Sequence, residues 1–339
     1  MWRQLFCLMV TVTVAAAASP ENTKARLPSE DTTVQGGNLF RTKMASLAEK
    51  YKPALQYIRQ IVSRLFSGHR PQPVARLNSN DTRSCPPCSC GRMGLDDRIA
   101  GGTQVEYAHK YPWMGLLLLK GDFLCGASLI NDKYVLTAAH CVSSSRASDY
   151  KVQLSVHHRD TDVFEEYNVN EIIRHERFVD DGGFSNDIAL FRLDTDGVKT
   201  MNGNVRPVCM PEKDNSYANS VAVSAGWGVM EFGDRYFPDV LREAQLQVLS
   251  NDECRPYFYR LINLTESMVC AGLEHQGKTT CRGDSGGPLT VANGSVHHLV
   301  GIASFGKDGC QRPPSVYTRV SEYLDWIDAN TKDACPCPK

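Results

Sequence analysis

Three short motifs contain residues whose chemistry suits nucleophilic catalysis. The motif Gly-Asp-Ser-Gly-Gly around Ser285 is a chain bend that can expose a hydroxyl and aim backbone N–H groups at one point. A serine hydroxyl is a weak nucleophile, so it needs a base and a group that orients the base. The chain supplies candidates upstream, His140 in Leu-Thr-Ala-Ala-His-Cys and Asp187 in Asn-Asp-Ile-Ala-Leu. The three motifs together predict a serine nucleophile with its own proton shuttle.

Each motif alone has a plain structural interpretation, as a flexible turn, a satisfied core histidine or a strand cap. In this order and spacing they resemble the chymotrypsin/trypsin family of serine endopeptidases, over roughly Ile99 to Asn330. Further agreement with the family comes from five other stretches: Arg98–Gly102, Tyr111–Trp113, Cys125–Leu129, Ala225–Gly228 and Val316–Val320.

Short apolar strands between turns must position these residues. The pattern predicts strands at, among others, Met114–Leu119, Lys133–Leu136, Tyr150–Val156, Asp187–Leu193 and Val221–Ser224. The family resemblance implies an all-β fold of two packed six-stranded antiparallel barrels over residues 99–330, closed by a helix at Ser321–Asn330. The first barrel would then supply His140 and Asp187 and the second Ser285, with the substrate between them.

The resemblance also implies a role for each residue of the site. Ser285 would attack the substrate carbonyl, His140 would carry its proton, and Asp187 would orient the imidazole. Backbone N–H groups of Gly283 and Ser285 would form the oxyanion hole.

Activation is implied to begin with a cut after Arg98. The new α-ammonium of Ile99 would fold inward and pair with Asp284, because a buried charge without a partner is costly. Ala100 stands where valine is commoner in the family, a change that packing should tolerate.

The substrate pocket departs from that of trypsins. Thr279 stands on the pocket floor where trypsins have an aspartate, and Ser315 stands where an open pocket has glycine. A neutral, narrowed pocket follows, which disfavours Arg or Lys and favours medium-sized or aromatic apolar side chains. Ser304–Gly306 would bind the substrate backbone as an added strand. The other expected pocket residues are Thr280, Phe305 within that strand, and Arg282 at the rim with Asp308.

The N-terminus and the sequons predict export. Residues 1–18 have a basic start, an apolar core and a run of alanines, which is typical of a secretory signal. A transmembrane anchor is disfavoured, because no segment approaches about 20 apolar residues. The sequons at Asn80, Asn263 and Asn293 can be glycosylated only in a secreted chain. We therefore expect a secreted, extracellular glycoprotein.

Twelve of the 13 cysteines remain once Cys7 leaves with the signal, and an oxidising compartment then suggests six disulfide bonds. The resemblance implies Cys125–Cys141, Cys254–Cys270 and Cys281–Cys310, and a bond from Cys209 to the segment before the activation site. The partners of Cys85, Cys88, Cys90, Cys335 and Cys337 stay open. Zinc binding by Cys85, Cys88 and Cys90 is the disfavoured alternative.

Residues 19–98 predict a pro-region. Its first part, 19–35, is polar, and apolar residues at steps of three and four over 38–66 predict an amphipathic helix, interrupted or restarted at Pro53. We expect this helix to pack on the catalytic domain or a partner; a helix on a membrane surface is the alternative. Residues 67–98 form a Pro-rich and Cys-rich linker, and 331–339 a Cys-containing tail. The tethered pro-region resembles that of arthropod digestive, haemolymph or venom proteases.

No cofactor or metal is expected. Val156 and His157 stand where a calcium-binding family member has its first acidic ligand, and the pairs His157-His158 and His297-His298 are interpreted as surface residues. The 339-residue chain has a net charge of −1, which gives no electrostatic argument for nucleic acid.

The sequence thus predicts the zymogen of a secreted serine endopeptidase. Expected partners are protein or peptide substrates, an Arg-specific activating protease and, as further candidates, serpin-type inhibitors, with no nucleic acid and no membrane. The alternative is a protease-like regulatory or binding protein whose altered pocket accepts no good substrate.

Overall fold

The computed structural model divides into two units, Met1–Thr82 and Arg83–Lys339. It describes residues 85, 88–94, 107–162, 164–180, 184–198, 204–259, 261–272, 279–307 and 312–337. The expected signal, the pro-region helix over 38–66, Asn80, the activation residues Arg98 and Ile99, and Cys310 lie outside these residues. Within the described residues, no helix is long and apolar enough to cross a membrane.

Two closed antiparallel barrels of six strands each make up the second unit, as the sequence predicts. The first barrel has the order β1-β2-β3-β6-β5-β4, with strands β1 Met114–Leu119, β2 Asp122–Leu129, β3 Tyr134–Thr137, β4 Tyr150–Leu154, β5 Glu165–Arg174 and β6 Ala189–Leu193. The second has the order β10-β11-β12-β9-β8-β7, with strands β7 Val221–Gly226, β8 Arg242–Leu249, β9 Met268–Ala271, β10 Pro288–Asn293, β11 Val296–Lys307 and β12 Arg312–Arg319.

The strands form where side chains alternate between core and solvent. Strand β4 shows this most simply, with Tyr150, Val152 and Leu154 fully buried and Lys151 exposed between them. It ends two residues earlier than predicted because Ser155 has φ +64°, which an extended strand cannot adopt.

Helical segments are few and short. They are α1 Asn251–Cys254 and α2 Leu324–Asn330, with 3₁₀ turns at Ala139–Cys141, Ala147–Asp149, Arg255–Phe258 and Val320–Tyr323. The predicted C-terminal helix is thus one 3₁₀ turn followed by α2. Val320, Ser321, Tyr323 and Ile327 are its buried positions. His175 packs against Tyr323 with ring centroids 5.3 Å apart.

Disulfide bonds tie both ends of the unit to its body. Cys85 bonds to Cys335, Cys88 to Cys337 and Cys90 to Cys209, so the zinc alternative is wrong for these thiols. Two further bonds are Cys125–Cys141 and Cys254–Cys270. Cys281 is also disulfide-bonded, and its expected partner Cys310 is one of the residues not described.

The interpretation of His297 and His298 as surface residues is wrong, since each is only 5% exposed. The segment around Cys90 lies over them: the His297 N–H donates to the Gly91 carbonyl at 2.8 Å. The ring of His297 packs 5.4 Å from that of Trp113, and burial lowers its pKa to about 4. Local sequence gives no sign of this cover, because it comes from a segment about 200 residues away in the chain.

Candidate active site

The imidazole of His140 is held by its neighbours in the first barrel. His140 lies in the 3₁₀ turn directly after β3, and the Cys125–Cys141 bond ties that turn to β2. Its Nδ1 lies 2.7 Å from Oδ2 of Asp187, while its backbone N–H donates to Oδ1 at 2.9 Å. Two bonds to one carboxylate fix both the turn and the ring, and the ring bond uses Nδ1 rather than Nε2.

Asp187 is fully buried, so its carboxylate needs these hydrogen bonds. The second barrel contributes two more: Ser304 Oγ donates to Oδ2 at 2.5 Å, and Thr318 Oγ1 donates to the Asp187 carbonyl at 2.7 Å. Asn186, with φ +56°, turns the chain just before β6. Asp187 is therefore held from both barrels.

The bend that carries Ser285 packs against the first barrel through glycines. A Cβ at Gly286, which has φ +76°, would lie 2.1 Å from Thr137 Oγ1 and 2.5 Å from the Gly126 carbonyl oxygen. The Gly126 N–H in turn donates to the Ser285 carbonyl at 2.8 Å. Only glycine allows this approach, and it places Ser285 beside β2 and the end of β3, next to the turn that carries His140.

Asp284 points away from the cleft into a pocket of backbone. Its carboxylate accepts from Gly228 N–H at 2.8 Å and from Cys281 N–H at 2.9 Å. A Cβ at Gly226 or Gly228 would lie within 2.5 Å of the carboxylate, so glycine at both positions makes room for it. Burial raises the pKa of the Asp284 carboxyl to about 6. This is the environment of an acid that gains from an incoming positive charge.

A cavity of about 580 Å³ opens beside Ser285. Its walls include five of the expected substrate residues: Thr280, Arg282, Ser304, Phe305 and Gly306. Thr279 and Ser315 lie apart from the described lining. Their hydroxyls are hydrogen-bonded to each other, and Ser315 is fully buried. Asp308, expected at the rim, lies outside the described residues.

One group of potential metal ligands occurs among the described residues: Cys125, His140 and Cys141. Both cysteines are in a disulfide bond, so they offer no thiolate to a metal. The group consists of the 3₁₀ turn that carries His140 and the cysteine of β2 to which that turn is bonded.

Comparison with known proteins agrees with this geometry. Residues 99–327 match the sequence model of the family described as Trypsin. The chain belongs to the trypsin family of serine proteases. The match begins at Ile99, the residue expected to become the new N-terminus after activation.

Relatives in this family come from vertebrates and arthropods. The chain is 38% identical to trypsin-1 of Astacus astacus over 245 residues, which are 68% of this chain and 99% of that protein. It is 38% identical to urokinase-type plasminogen activator of Gallus gallus over 72% of this chain and 62% of that protein. It is 33% identical to the proclotting enzyme of Tachypleus tridentatus over 78% of this chain and 76% of that protein. The chain thus spans nearly all of the trypsin but less than two thirds of the urokinase-type relative.

A solved structure shares the trypsin-family fold. Mouse neuropsin, described as a serine protease expressed in the limbic system of the brain, aligns with a TM-score of 0.59 at 31% identity. The alignment covers 68% of this chain and 98% of that one.

Sequence reasoning missed part of the cleft of this trypsin-family member. Phe184 packs its edge on His140, with ring centroids 5.5 Å apart, and stacks on Phe305 at 5.6 Å. An aromatic residue three positions before Asp187 is the signal that could have pointed to it. The loop after β7 supplies five lining residues, Val229, Phe232, Gly233, Asp234 and Arg235, which no motif marks.

Two of the three sequons lie in the part of the chain that the structure describes, and the asparagine of each is exposed. Asn263 lies before β9, and Asn293 ends β10 at its turn into β11. Both side chains are accessible, so their glycosylation stays a prediction.

Proposed function

We propose that this protein is a secreted serine endopeptidase, made as a zymogen and activated after Arg98, with a neutral primary pocket. The observation that carries the proposal is the joining of His140, Asp187 and Ser285 at one junction of two barrels. The buried Asp187 carboxylate contacts His140 Nδ1 at 2.7 Å, which makes Nε2 the nitrogen that would take the Ser285 proton, and Ser285 lines the cavity beside the junction.

The chemistry follows from this arrangement. Ser285 Oγ attacks the scissile carbonyl carbon while His140 Nε2 takes its proton, and the carbonyl oxygen becomes an oxyanion. The imidazolium then gives that proton to the leaving amine, and the C–N bond breaks to leave an acyl-enzyme. Water attacks the ester by the same route and regenerates Ser285. The N–H groups of Gly283 and Ser285 stabilise both oxyanions.

The floor of the primary pocket supports a preference for uncharged side chains. The Thr279 and Ser315 hydroxyls are satisfied by each other, so the floor presents no carboxylate to a substrate cation. A buried guanidinium or ammonium would lack a counter-charge, which is costly. We infer that medium-sized or aromatic apolar side chains fill the pocket, as in chymotrypsin- or elastase-like enzymes.

Activation is proposed to follow from the state of Asp284. Its enclosed carboxyl has a raised pKa of about 6, and it accepts from two backbone N–H groups. The ammonium freed at Ile99 would pair with it and stabilise the ionised form. The neutral primary pocket, which disfavours arginine, would keep the enzyme from cutting after its own Arg98. A separate Arg-specific protease is therefore required.

The three bonds from Cys85, Cys88 and Cys90 would keep the pro-region attached after that cut. Cys90 bonds to Cys209 between the barrels, and the other two bond to the C-terminal tail. The tail itself is anchored, because Asp333 accepts from Arg192 at 2.9 Å and from Tyr134 at 2.6 Å. The cleaved enzyme would therefore be a two-chain protein.

Incubating the pure zymogen with and without trypsin, and then profiling the product on a peptide library, tests this function. We expect cleavage after apolar residues only in the trypsin-treated sample, and none from Ser285→Ala. Non-reducing gels should show one band and reducing gels two. Spontaneous processing at Arg98 by the parent but not by Ser285→Ala, or strong cleavage after Arg or Lys beyond that of the added trypsin, would contradict the proposed specificity.

A further inference from the structure

Two loops, residues 157–159 after β4 and residues 239–241 before β8, are joined edge to edge between the first and the second barrel. The Arg159 N–H donates to the Asp239 carbonyl at 2.8 Å, and the Leu241 N–H donates to the His157 carbonyl at 2.8 Å. His158 and Val240 form an antiparallel bridge between these bonds. The two loops are therefore tied to each other through their backbones.

A single carboxylate shapes the first-barrel loop. Asp162 Oδ2 accepts from the His157 and His158 N–H groups at 2.7 Å each. These are charge-assisted bonds, which are stronger than neutral ones. The loop thus presents Arg159 in a defined direction.

The Arg159 side chain reaches across to the second barrel. Its guanidinium donates to the carbonyls of Pro238 at 3.1 Å and Phe237 at 3.2 Å. It also lies over two rings, 5.4 Å from the centre of Phe123 and 5.9 Å from that of Phe237. Such cation–π contacts gain strength where water is partly excluded.

The ring of Phe237 is held on its other sides as well. Phe123 meets it edge-on with centroids 5.0 Å apart at 87°. The guanidinium of Arg282 lies 5.1 Å from its centre and donates to the Asp234 carbonyl at 2.6 Å. Phe237 is thus fixed by residues from both barrels.

The held ring forms a wall against Gly283. A Cβ at Gly283 would lie 2.7 Å from Phe237 Cε1 and 3.1 Å from Gly228 Cα. The Gly283 N–H lies in the peptide whose Arg282 carbonyl accepts from Val229 N–H at 2.9 Å, so that bond and the Phe237 wall act on it together. Gly283 itself has φ +98° and no side chain to hold it. The cavity lining among described residues includes Arg282 but neither Arg159 nor Phe237.

We propose that Phe237 and Arg159 are positioning residues for the oxyanion hole, which hold Gly283 in the direction that its N–H must take. This rests on the proposed function, in which Gly283 N–H contacts the oxyanion. A displacement of about 1 Å at such a donor costs about a hundredfold in rate, and loss of the donor costs about 10²–10³. The contribution is therefore to kcat, with little effect on binding of the unreacted substrate.

The test uses the trypsin-activated full chain and a peptide p-nitroanilide as substrate. This substrate has no amino acid after the scissile bond, so it places no side chain there that could contact Phe237 directly. We expect Phe237→Ala to lower kcat by about tenfold to a hundredfold with KM within about threefold. Phe237→Tyr, which keeps the ring, restores kcat. Tyr236→Ala, at a neighbouring residue that is 87% exposed, is the matched control and leaves kcat unchanged.

Arg159→Met leaves the Phe237 ring in place but removes the guanidinium that holds it. This variant therefore tests whether the position of the ring, and not only its presence, matters for kcat. It lowers kcat by a smaller factor in the parent, and its effect shrinks in the Phe237→Ala background, because the contact with the ring is lost there while the bonds to the Pro238 and Phe237 carbonyls remain. If Phe237→Ala does not fold, Phe237→Leu and Arg159→Met give the same comparison. A kcat within twofold of the parent for both Phe237→Leu and Arg159→Met would overturn the proposal.

A matched pair of inhibitors supplies a readout that general loosening would not give. A peptide boronic acid forms a tetrahedral adduct with Ser285 and places an oxygen in the oxyanion hole, whereas the same peptide ending in a methyl group fills only the pocket. We expect Phe237→Ala to raise the inhibition constant of the boronic acid by the same factor as the loss in kcat. The inhibition constant of the methyl analogue should rise by less than threefold. Equal losses for both would overturn positioning. An inactive parent enzyme would instead refute the proposed function itself, and this inference with it.

Discussion

The proposed catalytic residues and the cavity beside Ser285 are built in different ways. His140 and Asp187 come from the first barrel and Ser285 from the second, and hydrogen bonds from both barrels hold Asp187. The described pocket walls come from the second barrel and its loops, from Val229 to Gly306. Under the proposed function, the chemistry would depend on the joining of two barrels, and the substrate choice would depend mainly on side chains of the second. Changes in the pocket should alter selectivity and leave the triad intact.

Breaking the triad at the barrel junction should have the largest effect. Asp187→Asn keeps the shape but replaces a hydrogen-bond acceptor with an NH2 donor, so His140 takes the tautomer with its proton on Nε2, which cannot accept the serine proton. We expect kcat to fall about 10⁴-fold with KM little changed. Steady-state kinetics on a peptide amide measure this, and a loss below tenfold would mean that Asp187 does not orient the base.

A negative charge added to the proposed pocket floor should change substrate selectivity and leave the catalytic steps unchanged. Thr279→Asp places a carboxylate where the Ser315 hydroxyl can donate to it, and it supplies the missing counter-charge. We expect the ratio of kcat/KM for Arg over Phe substrates to rise roughly a hundredfold.

Thr279→Asn is the matched control, since it has the same shape without the charge. It should not gain Arg cleavage. A gain of equal size in both variants would show that pocket volume, and not charge, sets the preference.

A methyl group added at Gly286 tests how closely the bend that carries Ser285 packs against the first barrel. Gly286→Ala puts a Cβ 2.1 Å from Thr137 Oγ1 and 2.5 Å from the Gly126 carbonyl oxygen in a backbone with φ +76°. We expect it to lower the free energy of unfolding by about 2–5 kcal/mol.

Gly294→Ala has a similar φ of +62° but meets no atom within 4 Å. Its cost should be about 1–2 kcal/mol, for the backbone alone. Urea denaturation of both zymogens measures the difference, and equal costs would contradict close packing at Gly286.

The smallest expected effect concerns the pH dependence of the zymogen. The pKa of Asp284 is about 6 when folded, above its ordinary value near 4 when unfolded. Between these values the folded state holds more protons, so the Asp284 contribution to stability is complete below pH 4 and is lost as pH rises through 6. Asp284→Asn should therefore show a smaller decline in Tm than the parent between pH 4 and pH 7. A parent and variant with parallel Tm profiles would contradict a buried, unpaired carboxyl.

The same division explains what sequence could and could not predict. The triad lies in local motifs, and alternation of core and surface residues gives the strands, so both barrels followed once the family resemblance was clear. The burial of His297 and the pairing of Cys85 with Cys335 depend on segments far apart in the chain. The wall that Phe237 forms against Gly283 depends on contacts between loops of two barrels, which no local pattern encodes.

Labelling with a fluorophosphonate, followed by mass spectrometry of the modified peptide, tests the central claim most directly. The claim is that Ser285 is the activated nucleophile and that cleavage after Arg98 completes its site. The account predicts rapid labelling of Ser285 after trypsin treatment, far slower labelling of the intact zymogen, and none in His140→Ala. Absence of label at Ser285 in the cleaved protein, or label at another residue, would contradict it and favour a protease-like binding protein.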